Sequence, residues 1–340
     1  MNKDKINELI NEIRDKHGKD SVFTANEIKN LKIKRISTGS FALDLEIGSG
    51  IPRGRMTEFF GDLGSGKTSI TLKTIAEAQK NGDVCALIDS EGTYDPDWAK
   101  KLGVNVNSLI VSRNDSGNKN LAIAEDLVRS GQCGVLVVDS IAAILPDQEQ
   151  DKTIEDDETM GRRAMLINRF VRRMHSALNN QKDNDRQCAI ILINQIRETF
   201  KSFGDPTTTP GGLGLRFGTS LRVRFWRGDL IRPAEGKPPV AIEVKFKVPK
   251  NKVWIPFREG MFHFYFADGA GMGQGEIDNI ESLINYGRIA GVIKDGESKK
   301  MSFDGGKKWC KYPEAWKEIR EYDKLRHRLE SEIEKILLKG

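Results

Sequence analysis

The 340-residue chain is poor in cysteine, with only Cys85, Cys133, Cys188 and Cys310. No two of them share a C-x-x-C spacing, which excludes a zinc-ribbon site and a disulfide framework and leaves reduced core thiols. The chain also lacks any apolar run approaching the ~18 residues of a membrane span, so no membrane partner is expected. Its N-terminus, MNKDKINELINEIRDKHGKD, has no signal-peptide-like apolar run, and a cytoplasmic protein is expected. Internal repeats and low-complexity tracts are absent. So is a strong charge imbalance, because 54 Lys+Arg stand against 49 Asp+Glu for a net +5. What is present, 38% apolar and 30% charged residues, suits a folded protein with an ample core and excludes disorder as its main theme. At roughly 100–200 residues per domain, the length allows two domains or one large domain with an appendage.

Residues 1–20 predict a charged helix with a narrow apolar stripe at Ile6, Leu9, Ile10 and Ile13, closed by Gly18. Such a stripe buries either against its own domain or against a neighbouring subunit. From residue 55 onward, apolar runs alternate with amphipathic segments at the cadence of an α/β parallel sheet. Strands are predicted at Met56–Phe60, Val84–Asp89, Ser108–Val111, Val135–Asp139 and Ala189–Asn194, with helices near 68–80, 96–102, 118–130 and 159–180. Past Leu221 the alternating runs RVRFW, VAIEVKFKV and MFHFYFA predict antiparallel strands added at one edge. A Gly-rich stretch at 271–276 marks a boundary. The expected domains are 1–34, 35–270 and 271–340.

The strongest chemical signal is the run Gly61, Asp62, Leu63, Gly64, Ser65, Gly66, Lys67, Thr68, which fits G-x-x-x-x-G-K-[ST] between a predicted strand and a predicted helix that opens with Ser69. Glycines let successive backbone N–H groups close around phosphate oxygens at a helix N-terminus. Lys67 would reach the β and γ phosphates of ATP, and the Thr68 hydroxyl would hold Mg²⁺. The apolar strand VLVVDS ends in Asp139 and Ser140 and reads as the partner strand whose acid helps hold Mg²⁺. ALIDSE places Glu91 just past another strand tip, either as a solvated loop acid or as the general base for the attacking water. At the tip of AIILIN stands Gln195, a neutral amide suited to sensing the γ-phosphate.

Two polar stretches flank these strands. Residues 147–158 carry seven acids, and 162–173 carry Arg162, Arg163, Arg169, Arg172 and Arg173 with no acid. The arginines form either a solvated helix face or a phosphate-binding surface. Residues 197–212, opened by Arg197, form a Gly/Pro-rich loop of a length that is usually functional. Residues 216–252 hold ten Lys/Arg against three acids, +7, more than the charge of the whole chain. Locally basic and globally near neutral, such a chain would bind a phosphate backbone through one surface.

The stretches STGSFALDLEIGSGIPRGRMTEFFGDLGSGKTSITL, LIDSEGTYDPDWAKKLGV, VLVVDSIAAILP, INQIRETF, FGDPTTTPGGLGLRFGTSLRVRFWR and KNKVWIPF together resemble the RecA recombinases of bacteria and their viruses. That resemblance implies a RecA-type ATPase core with an N-terminal polymerisation helix and a small C-terminal α/β domain. It also implies a DNA-dependent ATPase that forms helical filaments of itself on single-stranded DNA, takes up double-stranded DNA and exchanges homologous strands. On the same basis Glu91 is similar to the family's catalytic glutamate, Asp139 to its Mg²⁺-associated acid, and Gln195 to the residue linking the γ-phosphate to the DNA-binding loop. Asp95 and Trp98 correspond to adenine-contacting positions, Trp98 in place of the more usual tyrosine. Lys250 and Lys252 match a pair that reaches the neighbouring subunit's ATP, and Phe217 an interface position. Met160 and Gly161 would lie in the first DNA-binding loop, about 147–164. Residues 197–212 resemble the second, and Arg172, Gly211 and Gly212 would touch the DNA backbone. Departures from the pattern are Gly92 after Glu91, Pro210, Leu213, and an end at Glu334–Gly340 without an acidic tail. The rival readings are a ring-forming helicase or motor on the same core, a non-hydrolysing DNA-coating protein, and a small-molecule P-loop kinase. Lys299, Lys300, Lys307, Lys308 and Lys311 form either a gateway for duplex DNA or a solvated face.

Overall fold

The computed structural model describes residues 3–19, 21–29, 33–147, 161–181, 186–198 and 207–339. Two compact units divide the chain, Met1–Lys34 and Arg35–Gly340. In the first, helix α1 (Lys3–His17) ends where Gly18, at φ +97°, donates its N–H to the Arg14 carbonyl at 2.8 Å. No residue of α1 is buried, and Ile6 and Leu9 of its stripe are exposed. Thr24 and Glu27 close a reciprocal capping box on α2 (Ala25–Lys29), with the Thr24 N–H on a Glu27 oxygen at 2.6 Å and the Glu27 N–H on Thr24 Oγ1 at 3.3 Å.

The second unit opens with β1 (Arg35–Ile36) paired to β2 (Ile51–Pro52) around α3 (Phe41–Ile47). Its centre is an eight-stranded sheet built from β3 (Met56–Gly61), β4 (Val84–Asp89), β5 (Leu109–Ser112), β6 (Cys133–Asp139), β7 (Ala189–Gln195), β10 (Leu221–Ile231), β11 (Ala241–Asn251) and β12 (Glu259–Tyr265). The spatial order is β12-β11-β10-β3-β7-β6-β4-β5. Six strands are joined by parallel pairing, since β10 itself pairs parallel with β3, and β11 and β12 are added at its free edge by antiparallel pairing. The antiparallel edge expected past Leu221 thus begins one strand later than the alternating pattern suggests.

Both faces are covered, which explains the near-continuous apolar strands. On one face Phe59, Val137, Ile191, Ile193 and Phe225 pack with Ile70 and Ile75 of α4 (Lys67–Lys80). On the other, Met56, Ile88, Val138, Ile190 and Leu192 pack with Leu121 and Val128 of α6 (Gly117–Arg129) and Phe170 and Met174 of α7 (Arg162–Asn179). Between β4 and β5 lies the short α5 (Pro96–Lys101). The parallel order brings the C-terminal tips of β3, β4, β6 and β7 side by side, the edge at which α/β sheets bind ligands.

A short ladder of β8 (Arg197–Glu198) with β9 (Thr207–Thr208) leads into α8 (Gly212–Gly218), which lies against α7. A Cβ on Gly214 would stand 1.9 Å from Asn168 Oδ1 of α7, so any larger residue there would have to displace that amide. Residues 279–337 add α9 (Asn279–Ile289), a three-stranded sheet of β13 (Lys294–Asp295), β14 (Lys300–Ser302) and β15 (Cys310–Lys311), and helices α10 (Tyr312–Glu321) and α11 (Asp323–Leu337). Their core, including Ile284, Met301, Ile319 and Leu329, is shared with Phe41 and Leu45 of α3. Lys308 of this segment pairs with Glu318 at 3.0 Å.

Candidate nucleotide and DNA site

Gly61 ends β3 in register with Phe225, and a Cβ there would stand 1.9 Å from the Phe225 carbonyl oxygen. Only glycine lets the loop leave the sheet at this point. Gly64 and Gly66 continue it at φ +67° and +86°, and Gly66 is the N-cap of α4. Lys67 is buried and folds back over the loop, its Nζ donating to the carbonyls of Gly61 at 3.1 Å and Asp62 at 2.6 Å and to Ser65 Oγ at 3.3 Å. Burial pushes the Lys67 ammonium below its ordinary pKa, opposed by the charges of Asp139, Asp62 and Glu91.

Asp139 and Asp89 are register neighbours at the tips of β6 and β4. The Thr68 hydroxyl donates to Asp139 Oδ2 at 2.9 Å. Glu91 Oε1 accepts from the Ser140 hydroxyl and, at 2.8 Å, from Gln195 Nε2. The loop, Glu91, Asp139 and Gln195 therefore converge, and with Trp98 they line a cleft of about 300 Å³. Its apolar wall is Ile193, Ile242, Phe264 and Phe266, with the Trp98 and Phe264 rings edge-to-face at 6.1 Å. Asp95, expected near the nucleotide base, spends one carboxylate oxygen on capping α5, accepting from Asp97 N at 2.8 Å and Trp98 N at 3.2 Å. It lines a smaller adjoining hollow of about 150 Å³ together with Thr68, Trp98 and Asp139.

Burial raises the Asp139 carboxyl to about 6, helped by the neighbouring negative charges of Glu91 and Asp89 and opposed by the Thr68 hydrogen bond and Lys67. A cation needs the ionised form, so Mg²⁺·ATP affinity is expected to fall as pH drops through about 6. Stability moves the other way: the folded form takes up this proton before the unfolded chain does, so the Asp139 contribution grows as pH falls below about 6 and is lost as pH rises through it. Calorimetric titration of Mg²⁺·ATP between pH 5 and 8 checks the first. The melting temperature relative to Asp139→Asn checks the second, and a difference independent of pH would refute it.

The other expected residues are placed as follows. Met160 and most of the acids of 147–158 lie outside the described residues. Asp147, within them, accepts from Ser116 Oγ at 2.6 Å. Gly161 is the N-cap of α7; Arg162, Arg169 and Arg172 are exposed on that helix, and Arg163 is half-buried with its guanidinium 3.4 Å from the Ala142 carbonyl. Arg173 does not belong with them, because it pairs with Glu125 on α6. Arg197 is exposed at the start of β8, and Gly211 and Gly212 open α8 with φ +97° and +67°. Ser69 lines the cleft.

Lys250 and Lys252 do not join the cleft of their own chain. Lys250 stands in register with Arg222, itself level with Glu58 on β3, three residues before Gly61. Its Nζ donates to the carbonyls of Arg216 at 2.6 Å and Phe217 at 3.1 Å, and Lys252 Nζ to Phe217 at 3.3 Å. Burial, with Lys252 and Arg222 adding like-charge repulsion, brings Lys250 down to about 8. Phe217 is exposed.

Sequence reasoning did not single out the buried polar line that joins the site to the second loop. Glu58 is bound by the Arg222 guanidinium and, at 2.9 Å, by Asn194 Nδ2, which also donates to the Pro210 carbonyl at 2.9 Å. Arg222 lies 4.3 Å over the Phe60 ring. An acid inside MTEFF and an amide inside AIILIN were the available signals, since polar groups in such strands are buried and must be paired. Asp89 and Phe264 were likewise visible only as the last acid and an inward aromatic of their strands.

A family model described as RecA N-terminal domain matches residues 4–271. The chain is 41% identical to Protein RecA of Thermus aquaticus over 296 residues, 86% of this chain and 83% of that protein. Against Protein RecA of Halalkalibacterium halodurans the identity is 36% over 330 residues, covering 96% and 92%. Against that of Clostridium novyi it is 42% over 274 residues, covering 79% and 76%. With the phosphate loop, the acid-ended strands and the glutamine at adjacent tips of a sheet in this order, the chain belongs to the RecA family of DNA-dependent ATPases that act in homologous recombination.

Proposed function

We propose that the chain assembles as a helical filament on single-stranded DNA, binds Mg²⁺·ATP between subunits and pairs the coated strand with homologous duplex DNA in the cytoplasm. The observation that carries this reading is the contact between Gln195 and Glu91 at 2.8 Å, because Gln195 ends the strand that leads into the second loop. ATP supplies the γ-phosphate to which Gln195 would turn. Its release from Glu91 would free that carboxylate to take a proton from water, and the shift would pass to residues 197–212. The donor set fits the nucleotide: backbone N–H groups of a loop with left-handed glycines, a desolvated ammonium, and a hydroxyl beside a carboxylate. Among the described residues no cluster of three His, Cys, Asp or Glu side chains could hold a metal by itself. Mg²⁺ held by Thr68 and Asp139, with the rest of its shell from phosphate and water, matches that sparse donor set and would neutralise charge on the phosphates.

The carbonyl-bound ammonium groups of Lys250 and Lys252, away from their own cleft, support a role in trans. They would stabilise γ-phosphate charge on the neighbouring subunit, so ATP and filament geometry become one variable. Lys250→Ala is expected to cut ATP-driven assembly on DNA at least about tenfold while changing monomer nucleotide affinity less than about twofold. Sedimentation with DNA and nucleotide titration of the free protein check this, and equal losses would contradict an interfacial site. Strand exchange between a single-stranded circle and a homologous linear duplex tests the whole reading: joint molecules that require ATP are expected, and directional unwinding without pairing would favour a ring-forming motor.

A further inference from the structure

The turn that carries Glu91 is held by one buried carboxylate. Asp89, 3% exposed at the tip of β4, accepts the N–H groups of Thr93 at 3.1 Å and Tyr94 at 3.2 Å, closing residues 89–94 into a loop with Glu91 and Gly92 at its crest. Its remaining capacity is filled from the next strand, where Arg113, just past β5, donates Nε and Nη2 to Asp89 Oδ2 at 2.9 and 2.7 Å. Arg113 is itself anchored. The following Asn114 gives its carbonyl to Asn120 Nδ2 at 2.8 Å, and Asn120 is buried in α6. The guanidinium stops beside the turn, 3.9 Å from where a Gly92 Cβ would stand.

This geometry has an electrostatic side. Asp89, Glu91 and Asp139 crowd three carboxylates at two adjacent strand tips, and Asp89 is the one of the three with a salt-bridging arginine among the described contacts. A buried carboxylate left without its cation would turn outward to solvent, and that change would release the Thr93 and Tyr94 N–H groups that shape the turn. We propose that Asp89 and Arg113 are positioning residues for ATP hydrolysis: the pair fixes the turn so that the Glu91 carboxylate meets the attacking water, while Arg113 touches neither nucleotide nor water. The inference rests on the reading of Glu91 as general base. It adds an arginine, supplied by the same chain from the far side of the turn, to a site with Lys67 in its cleft and Lys250 and Lys252 proposed from a neighbour.

The test compares Arg113→Ala, Arg113→Lys, Glu91→Gln and the double variant Arg113→Ala with Glu91→Gln, all in the full chain, with saturating single-stranded DNA and Mg²⁺·ATP. For Arg113→Ala, kcat is expected to fall about tenfold with the ATP KM within about twofold of the unaltered chain. Arg113→Lys, which keeps the charge and one donor, should recover part of the loss. In the Glu91→Gln background the arginine substitution should cost nothing further, because the group it positions is already gone. A raised KM with unchanged kcat, or a tenfold loss that persists on top of Glu91→Gln, would overturn the proposal. A normal kcat in Glu91→Gln would instead overturn the base assignment and leave the Arg113→Ala split to be read independently. Melting temperatures of the single variants separate loss of the turn from loss of the fold.

Discussion

Glu91→Gln is expected to hydrolyse ATP about 10²- to 10⁴-fold more slowly than the unaltered chain while still assembling on single-stranded DNA in the presence of ATP. The substitution preserves shape and leaves an oxygen to accept the hydrogen bonds that Ser140 and Gln195 now give to Oε1. It removes only the ability to take a proton. On the proposed reading, nucleotide binding would rest on other groups that line the cleft, Leu63 to Thr68 and Asp139, so it should survive. Phosphate release measured beside anisotropy of labelled single-stranded DNA separates the two functions. Turnover within about threefold of normal would show that Glu91 is not the base.

Lys67→Ala should fail earlier, at binding itself. Its ammonium is desolvated and held by the carbonyls of Gly61 and Asp62 at 3.1 and 2.6 Å, a preorganised donor that a phosphate oxygen can capture without new ordering of the chain. Removing it deletes the charge, while the Gly61 and Asp62 carbonyls keep the Ile196 N–H at 3.4 Å and the Ser65 hydroxyl at 2.7 Å. A loss of nucleotide affinity on the order of 10²-fold is expected, with turnover and ATP-dependent DNA binding lost together. Titration with a fluorescent ATP analogue measures it directly, and an affinity within about threefold of normal would place the phosphates elsewhere.

These two substitutions separate binding from chemistry because the site is assembled from strand tips that the sequence marks individually. The run at 61–68, Glu91 just past β4, Asp139 at the end of β6 and Gln195 at the end of β7 were each legible, since a buried parallel strand is a continuous apolar run and a polar residue closing it stands out. The bonds among them were not. Arg222 lies 164 residues from Glu58, and Arg113 lies 24 from Asp89. Period-two alternation says which face a residue occupies without saying which strand is its neighbour. For the same reason RVRFW reads as an antiparallel strand although β10 runs parallel to β3. Charge runs mislead in another way: five arginines within 162–173 suggest one surface, yet Arg173 is committed to Glu125. Lys250 and Lys252 are legible as basic residues, whereas their distance from their own cleft emerges only from the register of β10 and β11.

The coupling of nucleotide to DNA through Gln195 and Glu91 is tested most directly by ATP turnover of the full chain measured with and without single-stranded DNA at constant salt. Stimulation of at least about tenfold by DNA is expected, because DNA contact at the second loop and closure of the subunit interface would both be required before Glu91 is freed to act. Turnover unchanged by DNA would contradict that coupling.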